Sequence, residues 1–173
     1  MNDYQDTKDV IIKALKNDRL PHAMLLIGSF TWTIKSFVSE LLPIFTCSHP
    51  NSPCLTCPDC KMALNNEHPD VEWVLPEKEG GSIKIDQIRA LQTSAYMTSQ
   101  RAPYKIIIID EADRMNNAAS NALLKLLEEP SVHTKIILIA QRISTLLPTI
   151  ISRCQTFQLK IKGCGAEDNL LAL

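Results

Sequence analysis

Four of the six cysteines lie in one short segment, at a spacing typical of a metal site. Cys47, Cys54, Cys57 and Cys60 form the pattern C-x6-C-x2-C-x2-C, whose short steps place three sulfurs on one turn of chain. Four thiolates with no open position favour a structural zinc ion. Free thiols or an iron–sulfur cluster are the alternatives, and His49 is an alternative to Cys47 as the outlying ligand. Residues 47–60 are therefore predicted to be a zinc-binding insertion.

A second candidate site follows the first predicted strand, where Gly28 precedes a predicted helix with Lys35 and Ser36. This order is similar to the phosphate-binding loop G-x-x-x-x-G-K-[ST]. Aligned on the lysine, however, the two glycine positions are occupied by Ser29 and Ile34. Glycine lets backbone N–H groups close around phosphate, whereas a β-branched residue beside the lysine crowds that approach and disfavours the unusual dihedral angles. We predict a degenerate loop that does not hold nucleotide, with competent binding as the alternative.

An acidic pair, Asp110 and Glu111, follows the isoleucine run 106–109. An apolar strand followed by Asp and Glu has the form of a Walker B segment, in which the aspartate holds a magnesium-bound water and the glutamate activates the attacking water. Without a phosphate cradle, the two carboxylates have no phosphate on which to act. We therefore predict a relic or interface role and no intrinsic ATPase activity, and live hydrolysis is the alternative.

Arg153 lies in the Ser-Arg-Cys segment 152–154, just before the last predicted strand. At an end of the sheet it could reach a neighbouring subunit as an arginine finger, although a lone arginine there is usually only solvated.

Two cysteines remain outside the cluster. Cys154 is expected within the last strand as a small buried residue, and Cys164 has no evident partner.

The composition excludes several classes of protein. With 173 residues, 45% of them hydrophobic, and a net charge of -1, the chain is neither disordered nor fibrous, and one domain is expected. Near-neutral charge gives no bulk attraction to DNA, so a nucleic-acid contact would need a local patch or partner subunits. No apolar stretch reaches the ~18 residues of a membrane span and no export signal is present, so the cytoplasm is the expected location.

Hydrophobic periodicity predicts five strands that alternate with helices. The predicted strands are 23–28, 71–75, 104–109, 135–140 and 154–159, and the predicted helices are 7–17, 34–42 (perturbed by Pro43), 86–97, 116–128 and 146–151. Strands that are apolar on both faces are typical of a parallel sheet covered by helices. We therefore predict an α/β fold, a five-stranded parallel sheet with helices on both faces, over residues 1–160. Residues 161–173 are expected to add only a short tail.

Four segments in this order resemble one family: the cysteine insertion, IIIIDEADRM at 106–115, NALLKLLEEP at 121–130, and SRC at 152–154. Over residues 7–159 the chain resembles the N-terminal AAA+ module of bacterial DNA polymerase III clamp-loader subunits, particularly those of delta-prime type. The resemblance implies a P-loop NTPase-like (AAA+) fold with a small zinc-binding insertion. The helical lid and collar domains of the family are not expected within this chain.

The resemblance further implies a stator subunit of the clamp loader. Such a subunit presents the SRC arginine, here Arg153, in trans to ATP on a neighbouring gamma/tau motor subunit. Its partners are the motor and delta subunits and, indirectly, the sliding clamp and primed DNA. The altered loop at Ser29 and Ile34 agrees with delta-prime, whereas the retained Asp110 and Glu111 keep a gamma/tau-like ATPase as an alternative. A stand-alone zinc-containing DNA-binding module is the third interpretation.

Overall fold

Five parallel strands form the centre of the protein in a computed structural model that describes residues 4–29, 31–50, 52–78 and 80–159. The strands are β1 (Ala23–Ile27), β2 (Val71–Val74), β3 (Lys105–Ile109), β4 (Thr134–Ala140) and β5 (Gln155–Gln158). Their order across the sheet is β2-β3-β4-β1-β5, and every adjacent pair is parallel. The predicted tail 161–173, with Cys164, lies outside the described residues.

Helices connect the strands and cover the sheet. They are α1 (Tyr4–Lys16), α2 (Thr31–Thr46), α3 (Pro58–Leu64), α4 (Ile85–Ala95), α5 (Asn117–Glu128) and α6 (Pro148–Ile151), with single 3₁₀ turns at Ala112–Arg114 and Ile143–Thr145. In the described part of the chain, no helix is both long enough and apolar enough to cross a bilayer. The alternation of strand and helix that the periodicity predicts is confirmed.

Two details differ from the sequence-based expectation. Helix α2 continues through Pro43 to Thr46, because Ile44 and Phe45 are buried and their packing compensates for the hydrogen bond that proline cannot make. Cys154 was predicted inside the last strand but lies just before β5, and it is only half-buried against the core.

The isoleucines of β3 show how the sheet is buried on both faces. Ile106 and Ile108 pack in the cluster that contains α1 and α2, whereas Ile107 and Ile109 pack in the cluster of α4, α5 and α6. Successive side chains of a strand point to opposite faces, so a strand covered on both sides must be apolar at every position. Polar groups are consequently left to the ends of the strands.

Asp70, immediately before β2, joins the amino ends of β2 and β3. Its buried carboxylate accepts hydrogen bonds from the backbone N–H groups of Gln100 (2.6 Å), Arg101 (2.8 Å) and Ala102 (2.8 Å), in the loop that leads into β3. Burial alone would raise the pKa of this carboxyl, but the hydrogen bonds from Ala102, Gln100 and Arg101 outweigh burial and hold the pKa below its usual value.

We expect Asp70→Asn to lower the free energy of unfolding by about 2 kcal/mol, because an uncharged acceptor replaces a carboxylate that holds three N–H groups. Urea denaturation at pH 7 measures this difference. The pKa of Asp70 is lower in the folded state than in the unfolded state. The difference in unfolding free energy between the two proteins should therefore persist above about pH 4, the pKa of an unfolded aspartate, and shrink as the pH falls through the folded-state pKa. Asp86→Asn, at a side chain that is 85% exposed, is the matched control and should change little. Equal effects of the two substitutions would contradict the role of Asp70.

Candidate functional site

The four predicted cysteines come together at the junction of α2 and α3. Cys47 directly follows α2, Cys57 is the N-cap of α3, and Cys60 lies inside that helix. The Sγ atoms of Cys47 and Cys54 are 3.7 Å apart, and all four sulfurs lie within 4.8 Å of one another. This arrangement could hold a metal ion, with Cys47 rather than His49 as the outlying member.

The local sequence explains how α3 presents its two sulfurs. Pro58 occupies the first turn of the helix, where a missing N–H costs nothing, and the Cys57 sulfur accepts the N–H of Cys60 at 3.4 Å. The N–H groups of Thr56 and Cys57 lower the pKa of Cys54 to about 5, whereas burial raises the pKa of Cys60 to about 12. A metal ion bound here would therefore displace a proton from the buried thiol.

Contacts outside the cluster attach the insertion to the sheet. Asp59, in the first turn of α3, accepts a hydrogen bond from Arg101 Nε at 2.6 Å, and Arg101 belongs to the loop that Asp70 holds. On the other side, Ser52 Oγ donates to the carbonyl of Ile44 in α2 at 3.1 Å. The insertion is thus fixed to two elements of the main fold.

The segment aligned with the phosphate loop is mostly helical. Helix α2 begins at Thr31, four residues before Lys35, so residues 31–34 form its first turn. Ser29 is exposed, whereas Ile34 is buried in the core against Gly28, where an added Cβ would be 3.2 Å from its Cδ1 atom. Ile34 therefore packs inward, toward the core. The helical backbone itself departs from the loop that the motif requires.

Lys35 and Asp110, separated by 75 positions in the sequence, form an ion pair. The Lys35 Nζ atom lies 2.5 Å from Asp110 Oδ2, and the side chain of Asp110 is 0% exposed while that of Lys35 is 40% exposed. Ser36 is exposed on the next position of α2. The structure thus brings the candidate phosphate-binding lysine to the Walker B aspartate.

Glu111 has a different partner. Its carboxylate lies 2.5 Å from Arg114 Nε, and its backbone adopts a positive φ of 51°, which is uncommon for a residue with a side chain. Its N–H donates to Asp110 Oδ1 at 3.0 Å. Both acidic residues are therefore engaged within the chain. Sequence reasoning missed Arg114, although an arginine three residues after a glutamate is a recognisable signal.

A shallow pocket of about 240 Å³ borders Lys35. It is lined by Lys35, Ser39, Asn66, Trp73 and Leu75. Pockets that enclose small-molecule ligands usually measure about 300–1,000 Å³. This pocket is therefore smaller than a typical nucleotide-sized site.

Arg153 lies in the turn between α6 and β5, where its guanidinium has two partners. Its Nη2 atom lies 2.8 Å from Glu128 Oε1 at the end of α5, and Nη1 donates to the carbonyl of Thr149 at 3.0 Å. The arginine side chain remains 36% exposed. Sequence reasoning did not identify Glu128, although a glutamate at the end of a helix is electrostatically unfavourable and therefore a signal.

Comparisons with known proteins show the family to which the chain is similar. The family model "DNA polymerase III, delta subunit" matches residues 4–162. The delta' subunit of Bacillus subtilis is 37% identical over 99% of this chain and 52% of the relative. The delta' subunit of Pseudomonas aeruginosa is 35% identical over 87% of this chain and 47% of the relative. The tau subunit of Bacillus subtilis is 33% identical over 85% of this chain and 26% of the relative. The chain thus spans about half the length of the delta' relatives.

Solved structures share the fold. A gamma subunit-related protein of DNA polymerase III from Thermotoga maritima superposes with a TM-score of 0.65 at 24% identity, covering 88% of this chain and 47% of that one. The RuvB Holliday junction branch migration motor of Thermotoga maritima gives a TM-score of 0.52 at 16% identity. The match covers 90% of this chain and 44% of that one. The predicted AAA+ architecture is confirmed, and the chain belongs to the delta-prime family of DNA polymerase III subunits.

Proposed function

We propose that this chain is part of a non-hydrolysing stator subunit of the DNA polymerase III clamp loader. In this role it supplies Arg153 in trans to ATP bound on a neighbouring gamma/tau motor subunit, while the complex loads the sliding clamp on primed DNA in the cytoplasm. The delta' relatives and the similarity to the tau subunit support a place among clamp-loader subunits. The delta subunit is a further expected partner.

The ion pair of Lys35 with Asp110 is the observation that carries the non-hydrolysing part of the proposal. In an ATPase the lysine contacts phosphate and the aspartate holds a magnesium-bound water. Here each neutralises the other, and moving Lys35 to a phosphate would leave the fully buried Asp110 carboxylate without its cation. Because Lys35 is 40% exposed, water screens part of this cost, but removing the cation from a buried carboxylate still opposes nucleotide binding.

The backbone and Glu111 add to this argument. From Lys35 onward, the N–H groups of α2 bond to carbonyls of the preceding turn, so they cannot wrap around a phosphate. The carboxylate of Glu111 is paired with Arg114, so it is engaged within the chain and is not directed at a water molecule beside a phosphate. Retained acidic residues are therefore compatible with a subunit that does not hydrolyse ATP.

Arg153 has the exposure and the free donors that a finger needs. A guanidinium carries five N–H donors, and two of its nitrogens have partners within the chain. The other N–H donors on the exposed part of the Arg153 guanidinium are available to an oxygen of a phosphate on another subunit. Positive charge placed there would stabilise the charge that develops on the transferred phosphoryl group.

We also propose that zinc is the ion of the cysteine cluster. Tetrahedral zinc with Zn–S bonds of about 2.3 Å places sulfurs about 3.8 Å apart. The sulfur pairs Cys47–Cys54, Cys47–Cys57 and Cys54–Cys60 are separated by 3.7, 4.0 and 4.0 Å. Bound zinc would join the end of α2 to α3 and stabilise a segment that has little core of its own.

Replacing Cys57 by serine should therefore remove the bound zinc and lower the melting temperature by several degrees. Metal content by elemental analysis and thermal unfolding measure the two effects. Cys154→Ser is the matched control, because Cys154 lies outside the cluster, and it should leave the metal content unchanged. A metal-free wild-type chain, purified without chelator, would count against a structural zinc site.

The chain should not bind ATP measurably at micromolar concentration with magnesium present, because Lys35 is held by Asp110. Titration with a fluorescent ATP analogue tests this expectation, with a gamma/tau subunit as the positive control. Saturable, magnesium-dependent binding that is lost in Lys35→Ala would favour the motor-like ATPase instead.

Arg153→Ala should leave the chain folded but lower ATP hydrolysis at the adjoining motor site by about 100-fold or more, because a finger contributes most in the transition state. The measurement needs a reconstituted complex in which only the motor subunit next to this chain is competent for hydrolysis. Arg142→Ala removes another exposed arginine and serves as the control. An unchanged rate in Arg153→Ala would refute the finger.

A further inference from the structure

Among the described residues, Glu128 provides the one carboxylate that pairs with the guanidinium of Arg153. The ion pair joins the end of α5 to the turn after α6, and the Thr149 carbonyl holds a second nitrogen of the same guanidinium. The arginine is thus held from two directions, by α5 and by α6. Neither contact comes from a residue that the proposed function uses.

The position of Glu128 is unfavourable for the helix that contains it. It is the last residue of α5, where the helix dipole presents partial negative charge, and Glu129 follows it directly. An acid at this point weakens the helix unless a cation compensates for it, and Arg153 is that cation. The side chain of Glu128 is 50% exposed, so the pair contributes little to stability. The ion pair therefore adds little to the stability of the helix or of the fold.

We propose that Glu128 is a positioning residue for Arg153, an inference that rests on the proposed finger function. Together with the Thr149 carbonyl, its carboxylate fixes the orientation of the guanidinium before a neighbouring subunit binds. Arginine loses much rotamer freedom when it is immobilised. An arginine that is already ordered avoids that loss in the transition state, where preorganised charge is most effective.

The geometry favours positioning over sequestration. The Nη2 atom lies 2.8 Å from Glu128 Oε1 and Nη1 donates one N–H to the Thr149 carbonyl, and five N–H donors on a guanidinium leave others for an incoming oxygen. An arginine held in this way can contact a phosphate without leaving its carboxylate. If Glu128 instead withheld the arginine, the finger would have to break both contacts before it could act.

The test measures ATP hydrolysis in the reconstituted complex in which only the adjoining motor site is competent. Glu128→Ala should lower kcat at that site about tenfold and leave KM for ATP unchanged, because Glu128 does not touch ATP. Glu128→Gln should retain more activity than Glu128→Ala, since its amide oxygen still accepts an N–H. Glu129→Ala is the matched control and should have no effect, because the contact described for Glu129 is made by its backbone carbonyl.

A double-mutant cycle separates this inference from the function on which it rests. In an Arg153→Ala background, Glu128→Ala should cause no further loss, because a positioning residue acts only through the arginine. If Arg153→Ala lowers the rate but Glu128→Ala leaves it unchanged or raises it, positioning is refuted and the finger stands. If Arg153→Ala has no effect, both are refuted. Equal melting temperatures of the variants confirm that folding does not account for the result.

Discussion

The complete burial of the Asp110 carboxylate is the constraint on which the rest of the site depends. A charge removed from water at the end of a central strand needs a cation, and Lys35 provides it from the facing helix. This pairing places the lysine at the carboxyl end of β3, beside Asp110. The same two residues that would bind nucleotide in an ATPase therefore form a structural contact in this chain.

The main fold could be predicted from sequence because its signals are local. Runs of isoleucine and leucine identified β1, β3 and β4, and helical spacing of apolar residues identified α1, α4 and α5. The cysteine cluster was equally accessible, since its spacing constrains where the sulfurs can meet. Short segments with strong periodicity or fixed spacing carry this information without reference to distant parts of the chain.

Apart from the local pair of Glu111 with Arg114, the missed features depend on contacts between distant segments or on competing packing. Nothing near Lys35 indicates that Asp110 will be its partner, and nothing near Arg153 indicates Glu128. The start of α2 at Thr31 and its passage through Pro43 result from burial of apolar side chains, which outweighs local preferences. For Ile34, the residue type indicates an altered loop, but the burial of its side chain against Gly28 became visible only in the three-dimensional fold.

The two outermost strands of the sheet are its shortest. β2 and β5 have four residues each, whereas the inner strands have five to seven. The outermost β5 is largely polar in sequence, with glutamine at both ends. Short edge strands offer few main-chain groups to another strand, which limits edge-to-edge aggregation.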